Sequence, residues 1–526
     1  MKYSIMLNTL LFVLIMVTLL PGQTMRWLYE YSWYGYDEAI SIVYASDNTI
    51  CTAGNSWDPY TNTDIMLVGH DTLGNTLWGP IFYMTANIDI VADMVCGRDN
   101  ILYLCATVDI YDVLPNTDED MLISAISSTG SSLWNYKYNA GMAEARAIMQ
   151  DRSRNVYTCG THIVYRFVPF FFINPEFLVL SLTDSGTLRW RYLRDNGGNE
   201  YEIPDCANSI TSGGDNNIYG AGYISSGEGS QYKDFAVVKL DTSGHEQWTY
   251  LYNGPGDNVD VANSIISYGT RKLFVAGSST GISTGVDFTV ICIDTSAQEQ
   301  WIYRYNGPTN SNDEAYKIIR GDDGNLYVGG CSGSDFIIIS LDTLGNERWI
   351  YRKTGGIAKS LTYGQNRIYA CDAGGFGVVC LDTSGNELWC YTYGGQANDI
   401  VYGLDNNTYA AGEDGAFLVV SLRDTASVVK VEETELRCPQ NKKLDLAVVS
   451  PVKNDLWFFI SSPASGSGNL SVYNTLGQRI FSKKIDILSG VTKHYLTLPE
   501  NLPCGIYFLK AETPNSTIVE KCVIVR

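Results

Sequence analysis

The chain has 526 residues, 45% of them hydrophobic, so it exceeds one ordinary core and is not disordered as a whole. Fifty-seven acidic against 36 basic residues leave a net charge of −21, which opposes binding to nucleic acid or to anionic lipid, since both need clustered Lys and Arg. Several domains, or one repeat array, under an acidic water-facing surface remain.

The first element in chain order is an export signal over residues 1–24. Lys2 supplies its positive charge, and Leu10–Leu20 form an apolar run interrupted only by Thr18. Pro21-Gly22 ends the run before it is long enough to span a bilayer, and Gly22 and Thr24 permit cleavage near residue 24. No Cys follows for lipid attachment, and no later stretch is apolar enough to cross a membrane. The mature chain is therefore expected to carry no transmembrane segment.

Residues 25–426 are governed by a repeat. Trp78, Trp134, Trp190, Trp248, Trp301, Trp349 and Trp389 each close a unit reading roughly Asp-Thr-x-Gly-x-x-x-Trp, at spacings from 40 residues (Trp349 to Trp389) to 58 (Trp190 to Trp248). Trp27 has no such unit before it, and Phe417–Thr425 begin a unit that breaks off without its tryptophan. One arrangement explains both irregularities: the strand around Trp27 completes the last unit by pairing with Phe417–Leu422.

The unit from Asp260 to Tyr305 shows the local grammar. Ala262–Ile266, Lys272–Gly277, Asp287–Ile293 and Gln300–Tyr305 read as four short strands joined by Gly, Asn, Asp and Ser turns. Trp301-Ile302-Tyr303-Arg304-Tyr305 alternates aromatic residues on one face of the fourth strand. The third strand is continuously apolar, as in Phe336–Ile339, the pattern of a strand covered on both faces. Stacked blades cover their middle strands in that way, so the expected fold is all-β: an eight-bladed β-propeller, seven blades being the alternative. Thirteen cysteines do not form a spaced framework; Cys51, Cys105, Cys159 and Cys371 recur as small buried hydrophobes, and Cys371 with Cys380 and Cys504 with Cys522 are conceivable pairs.

Asp342-Thr343-Leu344-Gly345-Asn346-Glu347-Arg348-Trp349 and Asp382–Trp389 carry a resemblance to bacterial propeller repeats of the form D-x-x-G-N-x-x-W, including the quinoprotein-like propellers with tryptophan docking. That resemblance implies a structural role for Trp27, Trp78, Trp134, Trp190, Trp248, Trp301, Trp349 and Trp389. The adjacent Cys-Cys pair typical of the quinone enzymes is absent.

Residues 427–443 lose the repeat and read as a polar linker, with Glu432-Glu433 and Lys442-Lys443. Residues 444–526 alternate again, rich in Val, Leu, Ile and Tyr, and fit a small immunoglobulin-like β-sandwich. Tyr473, Asn474 and Gly477 within Leu470–Ile480, Gly505 and Tyr507 within Leu502–Lys510, and Lys521 opening Lys521–Arg526 resemble the C-terminal sorting domain of the type IX secretion system. Ser450-Pro451 stands where that family usually has Asn-Pro. The resemblance implies the type IX machinery as a partner and a secreted or outer-surface location.

Catalytic signals are sparse. Of four histidines, His70 and His245 fall in or beside the repeat turn and read as solvated. Gly277–Gly281 and Gly281–Gly285 match G-x-S-x-G but lie between strands, whereas a nucleophile elbow needs a strand before it and a helix after it. Asp37, Glu38, Asp205, Asp260, Asp313 and Glu314 recur ahead of first strands. A ring of them is the one candidate calcium site; capping of their own turn amides is the favoured reading, and no cofactor is expected. Asp322–Asn325 and Asp405–Asn407 read as hairpin turns. The resulting expectation is a non-enzymatic propeller that binds an extracellular protein or glycan at one rim, with Ile163–Pro175 and Tyr223–Lys233 as recognition loops. The alternative is a propeller enzyme acting on polysaccharide or a quinone-dependent substrate, with an acid pair in its channel.

Overall fold

The computed structural model describes residues 23–32, 36–59, 62–85, 87–110, 119–166, 172–194, 205–225 and 233–424, together with 445–448, 455–462, 465–474, 478–487, 490–497, 505–513 and 516–524. The expected export signal before residue 23 and the linker 427–443 lie outside them. The chain divides into two compact units, Met1–Ala426 and Ser427–Arg526. Every regular element among the described residues is a strand.

The strands of the first unit form eight four-stranded antiparallel sheets. Sheets 1 to 7 each use four consecutive strands, spanning residues 37–83, 88–138, 142–194, 206–252, 260–305, 313–353 and 358–392. Sheet 8 combines both ends of the unit. Gln396–Tyr402, Asn407–Glu413 and Phe417–Asp424 supply three strands, and Gln23–Tyr31 pairs with the last of them, Trp27 opposite Ser421 and Leu28 opposite Val420. First strands of successive sheets lie side by side, and Asp37–Tyr44 also lies beside Gln396–Tyr402. This stacking of four-stranded sheets is propeller-like.

The sequence pattern explains the layering. Third strands such as Phe336–Ile339 are fully buried, because a neighbouring sheet covers each face, whereas the aromatic fourth strands are half-buried. Strands run longer than the apolar runs suggest: Asp260–Tyr268 forms where Ala262–Ile266 was expected, because polar ends continue the ladder. Cys371 and Cys380 are not cross-strand partners; Cys371 faces Val378 and Cys380 faces Tyr369, so the hairpin register sets the two thiols apart. Cys504 lies outside the described residues.

Among the described residues, the second unit holds seven strands in two antiparallel sheets. Asp445–Val448, Asp455–Ser462 and Gly490–Thr497 make a three-stranded sheet. Arg479–Ile487, Gly466–Asn474, Gly505–Thr513 and Ser516–Ile524 make the other, in that order. Ile460, Leu470, Val472, Leu509 and Ala511 are buried.

Candidate functional site

The repeat tryptophans join each sheet to the next. Each indole Nε1 donates to a carbonyl in the following sheet's third-to-fourth-strand turn: Trp27 to Thr72 (3.1 Å), Trp78 to Ser128 (2.7 Å), Trp134 to Asp184 (2.8 Å) and Trp190 to Thr242 (3.0 Å). Trp248, Trp301 and Trp349 do the same to Thr295, Thr343 and Thr383. The turn glycine lies flat on the ring. A Cβ on Gly345 would sit 2.5 Å from Trp301, and its φ of +86° suits glycine. The motif aspartate shapes the turn: Asp342 Oδ1 accepts from the amides of Leu344 and Asn346. Trp389 differs. Its Nε1 is buried with no acceptor among the described residues, because the turn that would cap it is replaced by the two chain ends of sheet 8.

Tyrosines add a second latch. Tyr192, Tyr250 and Tyr303 donate to Glu246, Glu299 and Glu347 of the next sheet, and Tyr351 donates to Glu387. The Trp-x-Tyr and Glu-x-Trp spacings of the sequence are two halves of one joint.

A register break recurs in every first strand, at Ile40, Ala92, Arg146, Asn208, Asn263, Tyr316, Lys359 and Asn398. Such a bulge re-aims side chains, here at the innermost edge of each sheet. Asn208, Asn263 and Asn398 each donate to a carbonyl of the adjoining first strand, Ala262, Ala315 and Ala39, at 2.9 Å. The residue after the bulge accepts the neighbour's amide: Asp93 from Ile148 (3.1 Å), Ser264 from Ile318 (3.3 Å) and Asp399 from Ile42 (3.0 Å). Asp399 also accepts the hydroxyl of Ser360 (2.8 Å). Burial pushes the Asp93 carboxyl up to about 6; Lys317 pulls it down, and Asp399 adds to the rise. Charges on sheets 6 and 8 thus lie close enough to act on Asp93 of sheet 2. Arg146 pairs with Glu144 at 2.7 Å, and Lys359 donates to Asn398 at 2.7 Å. Sequence reading missed this set, because the bulge is invisible as a periodicity. The recurrent Ala-x-Ser/Asp-Ile was its available signal.

The recurrent acids serve their turns. Asp260 accepts the amides of Gly254 (2.6 Å) and Thr280 (2.9 Å), Asp205 that of Ser225 (2.7 Å), and Asp313 that of Gly307 (2.5 Å). Among the described residues no group of three or more potential ligands converges on one point. Asp323 and Asp405 occupy hairpin turns and accept the hydroxyls of Tyr327 and Tyr409, each at 2.6 Å.

His70 corrects the sequence reading. It is fully buried under the N-terminal strand, its ring centroid 5.6 Å from Trp27 and 4.3 Å from Tyr29. Neither ring nitrogen has a partner among the described residues, and burial holds its pKa down to about 4. It closes the third strand of sheet 1, so its side chain points between sheets rather than into the turn. His245 is exposed, as expected. His162 is buried between Glu176 (3.1 Å) and the Ala140 carbonyl (3.1 Å). The G-x-S-x-G matches fall on the hairpin joining Lys272–Gly281 to Gly285–Asp294, with no helix after them.

The proposed recognition loops both join second to third strands. In sheet 3 the hairpin extends as paired strand to Arg166 opposite Phe172; Phe170 and Phe171 lie outside the described residues. In sheet 4, Ser225 pairs with Lys233, whose ammonium lies 3.9 Å from the centre of the Tyr223 ring.

In the second unit the motif residues come together. Asn474, ending one strand, pairs with Tyr507 of the strand that Gly505 opens, and Lys521 faces Phe508 from the last strand. Asn474 also caps its turn by accepting the amide of Gln478 at 2.9 Å. Gly477 lies outside the described residues. Residues 450–525 match the family described as the secretion system C-terminal sorting domain. The chain carries a type IX sorting domain. It is therefore a secreted or outer-surface protein that engages the type IX secretion machinery.

The chain is similar in fold to a surface component of the type IX secretion system, PorZ of Porphyromonas gingivalis, with 11% identity, coverage of 91% of this chain and 74% of that one, and a TM-score of 0.35. A protein from Lactobacillus plantarum shares 13% identity over 67% of this chain and 98% of its own, at a TM-score of 0.42. A Bacteroides caccae protein of unknown function shares 12% over 58% and 93%, at 0.35. No curated protein matches the sequence.

Proposed function

We propose that the first unit is a closed eight-bladed propeller that acts as a non-enzymatic binding module for an extracellular protein or glycan. The observation that carries the closure is the set of bonds joining the two ends of the unit. Asn398 and Asp399 of sheet 8 bond to Ala39 and Ile42 of sheet 1, and Trp27 docks on the turn of sheet 1. The second unit, read as an immunoglobulin-like sandwich, is the export address.

The binding reading rests on how polar groups are spent. The repeat acids cap turns, the tryptophans and tyrosines join blades, and the channel carboxylates of Asp93 and Asp399 hold neighbouring backbone amides. A catalytic acid needs an oxygen within reach of its substrate, and both oxygens of Asp93 and of Asp399 are engaged by the scaffold. Rigid blades carrying unequal connections are suited to presenting a recognition surface. Glycan-array and surface pull-down screening of the mature chain, with and without calcium, tests the reading. Saturable retention of a glycan or protein supports it. Turnover of a polysaccharide or quinone-linked substrate with no stable binding overturns it.

A further inference from the structure

We infer that a cleft among the hairpins joining first to second strands in sheets 2 to 5 is a binding site for a small hydroxylated anion, of the uronic-acid type. The cleft encloses about 310 Å³ and is lined by Arg98, Gln150, Arg152, Ser212, Ser267 and Thr270, with the backbones of Gly214 and Gly269. That volume is at the lower end of small-ligand sites. First strands of successive sheets lie side by side, so these four hairpins come together at one end of that row of strands.

Three observations set the ligand's charge. Arg98 and Arg152 are exposed, and neither forms an ion pair among the described residues, although the chain carries an excess of acid. The acids of the same hairpins are committed elsewhere. Asp99 accepts from Tyr103 (3.0 Å) and Gln150 (3.0 Å), Asp151 from Tyr157 (2.9 Å) and the amides of Ser153 and Asn155, and Asp215 from Tyr219 (2.7 Å), with Lys239 at 3.0 Å. A third guanidinium, Arg320, lies 4.1 Å from the centre of the Tyr268 ring, one residue from the cleft-lining Ser267 and Gly269. Two unpaired forks with five donors each favour a planar carboxylate, which they can hold bidentately.

The remaining lining sets the rest of the ligand. The hydroxyls of Ser212 and Thr270 present hydrogen-bonding groups without one aromatic or large aliphatic side chain, while the Gln150 amide is held by Asp99 and the Arg98 amide, and the Ser267 hydroxyl donates to the Ser212 carbonyl (2.8 Å). A peptide hot spot needs an apolar anchor, whereas a ring of hydroxyls does not. The backbone is brought close on purpose: a Cβ on Gly214 would meet the Gly269 carbonyl at 2.2 Å, so the floor of the cleft requires glycine there. This inference deepens the binding reading and rests on it, at a rim-side site separate from the second-to-third-strand loops.

The test titrates glucuronate, glucose and inorganic sulfate into the mature protein and into Arg98→Gln, Arg152→Gln and the double variant, by calorimetry and ligand-observed NMR. Glucuronate should bind, glucose should not compete, and the double variant should lose about tenfold or more in affinity, as expected for hydrogen bonds to a charged group. Both arginines are exposed, so melting temperatures should match the parent and separate lost binding from lost folding. Sulfate equal to glucuronate marks a bare anion site and overturns the hydroxyl claim. Glucuronate bound equally by parent and double variant overturns the site. If glucuronate fails while the glycan array still retains a ligand, this inference falls and the binding-module reading stands.

Discussion

Sheets 1 to 7 and sheet 8 share one design but are assembled differently. Each of the first seven closes its fourth strand through a covalent turn, and that turn caps the tryptophan of the preceding sheet. Sheet 8 takes its fourth strand from the other end of the unit, so no third-to-fourth-strand turn joins it, and the buried Trp389 N–H has no acceptor among the described residues. Covalent continuity makes local hairpins entropically cheap, whereas docking Gln23–Tyr31 must close a loop of nearly the whole unit. The split sheet is therefore where interactions should concentrate: at one edge Trp27 and Tyr29 pack on His70, and at the other Asp399 bonds to Ile42.

Predictions that probe this difference run from large to small. Trp27 is half-buried, so Trp27→Ala should cost about 3 kcal/mol, the low end of the range for a buried tryptophan, read by chemical denaturation. Equal stability of variant and parent would mean that the N-terminal strand contributes nothing. His70 supplies a pH signature. Its folded pKa of about 4 lies below the ordinary 6.5, so the unfolded chain binds the extra proton between those values. Stability from this residue is present above about pH 6.5 and falls as pH drops towards 4, by on the order of 3 kcal/mol. His70→Leu should flatten the stability–pH curve relative to the parent in that window. Unchanged slopes would place the histidine in water.

Asp399→Ala removes acceptors for Ile42, Ser41 and Ser360 at the joint between sheets 8 and 1 and should cost about 1–3 kcal/mol. The smallest effect is the most specific. Trp27→Phe loses ring volume and an indole hydrogen bond, while Trp389→Phe loses volume alone. The first should therefore cost about 1 kcal/mol more than the second. Equal costs would mean that the docking bonds are incidental.

Much of this was legible in the sequence. The Asp-Thr-x-Gly-x-x-x-Trp spacing marks the sheet-to-sheet joint because one turn glycine and one ring must meet at each junction, and the orphan Trp27 marks the split sheet. Alternation located the strands, and apolar runs located the doubly covered ones. Three features escaped. His70 looks like a turn residue, since nothing local reveals the strand that folds over it from another part of the chain. The axial bulges disturb a ladder by one residue and leave no period. The arginine cleft draws one to three residues from each of four hairpins, a convergence that only the stacking of the sheets creates.

Native-state hydrogen exchange of the N-terminal strand is the most direct test of closure. If Gln23–Tyr31 completes the last sheet, the alternate amides of Leu28–Tyr31 that bond across to Phe417–Val420 should exchange as slowly as the bonded amides of the fourth strands of sheets 1 to 7. Exchange at the rate of an exposed chain end, with those fourth strands fully protected, would contradict it.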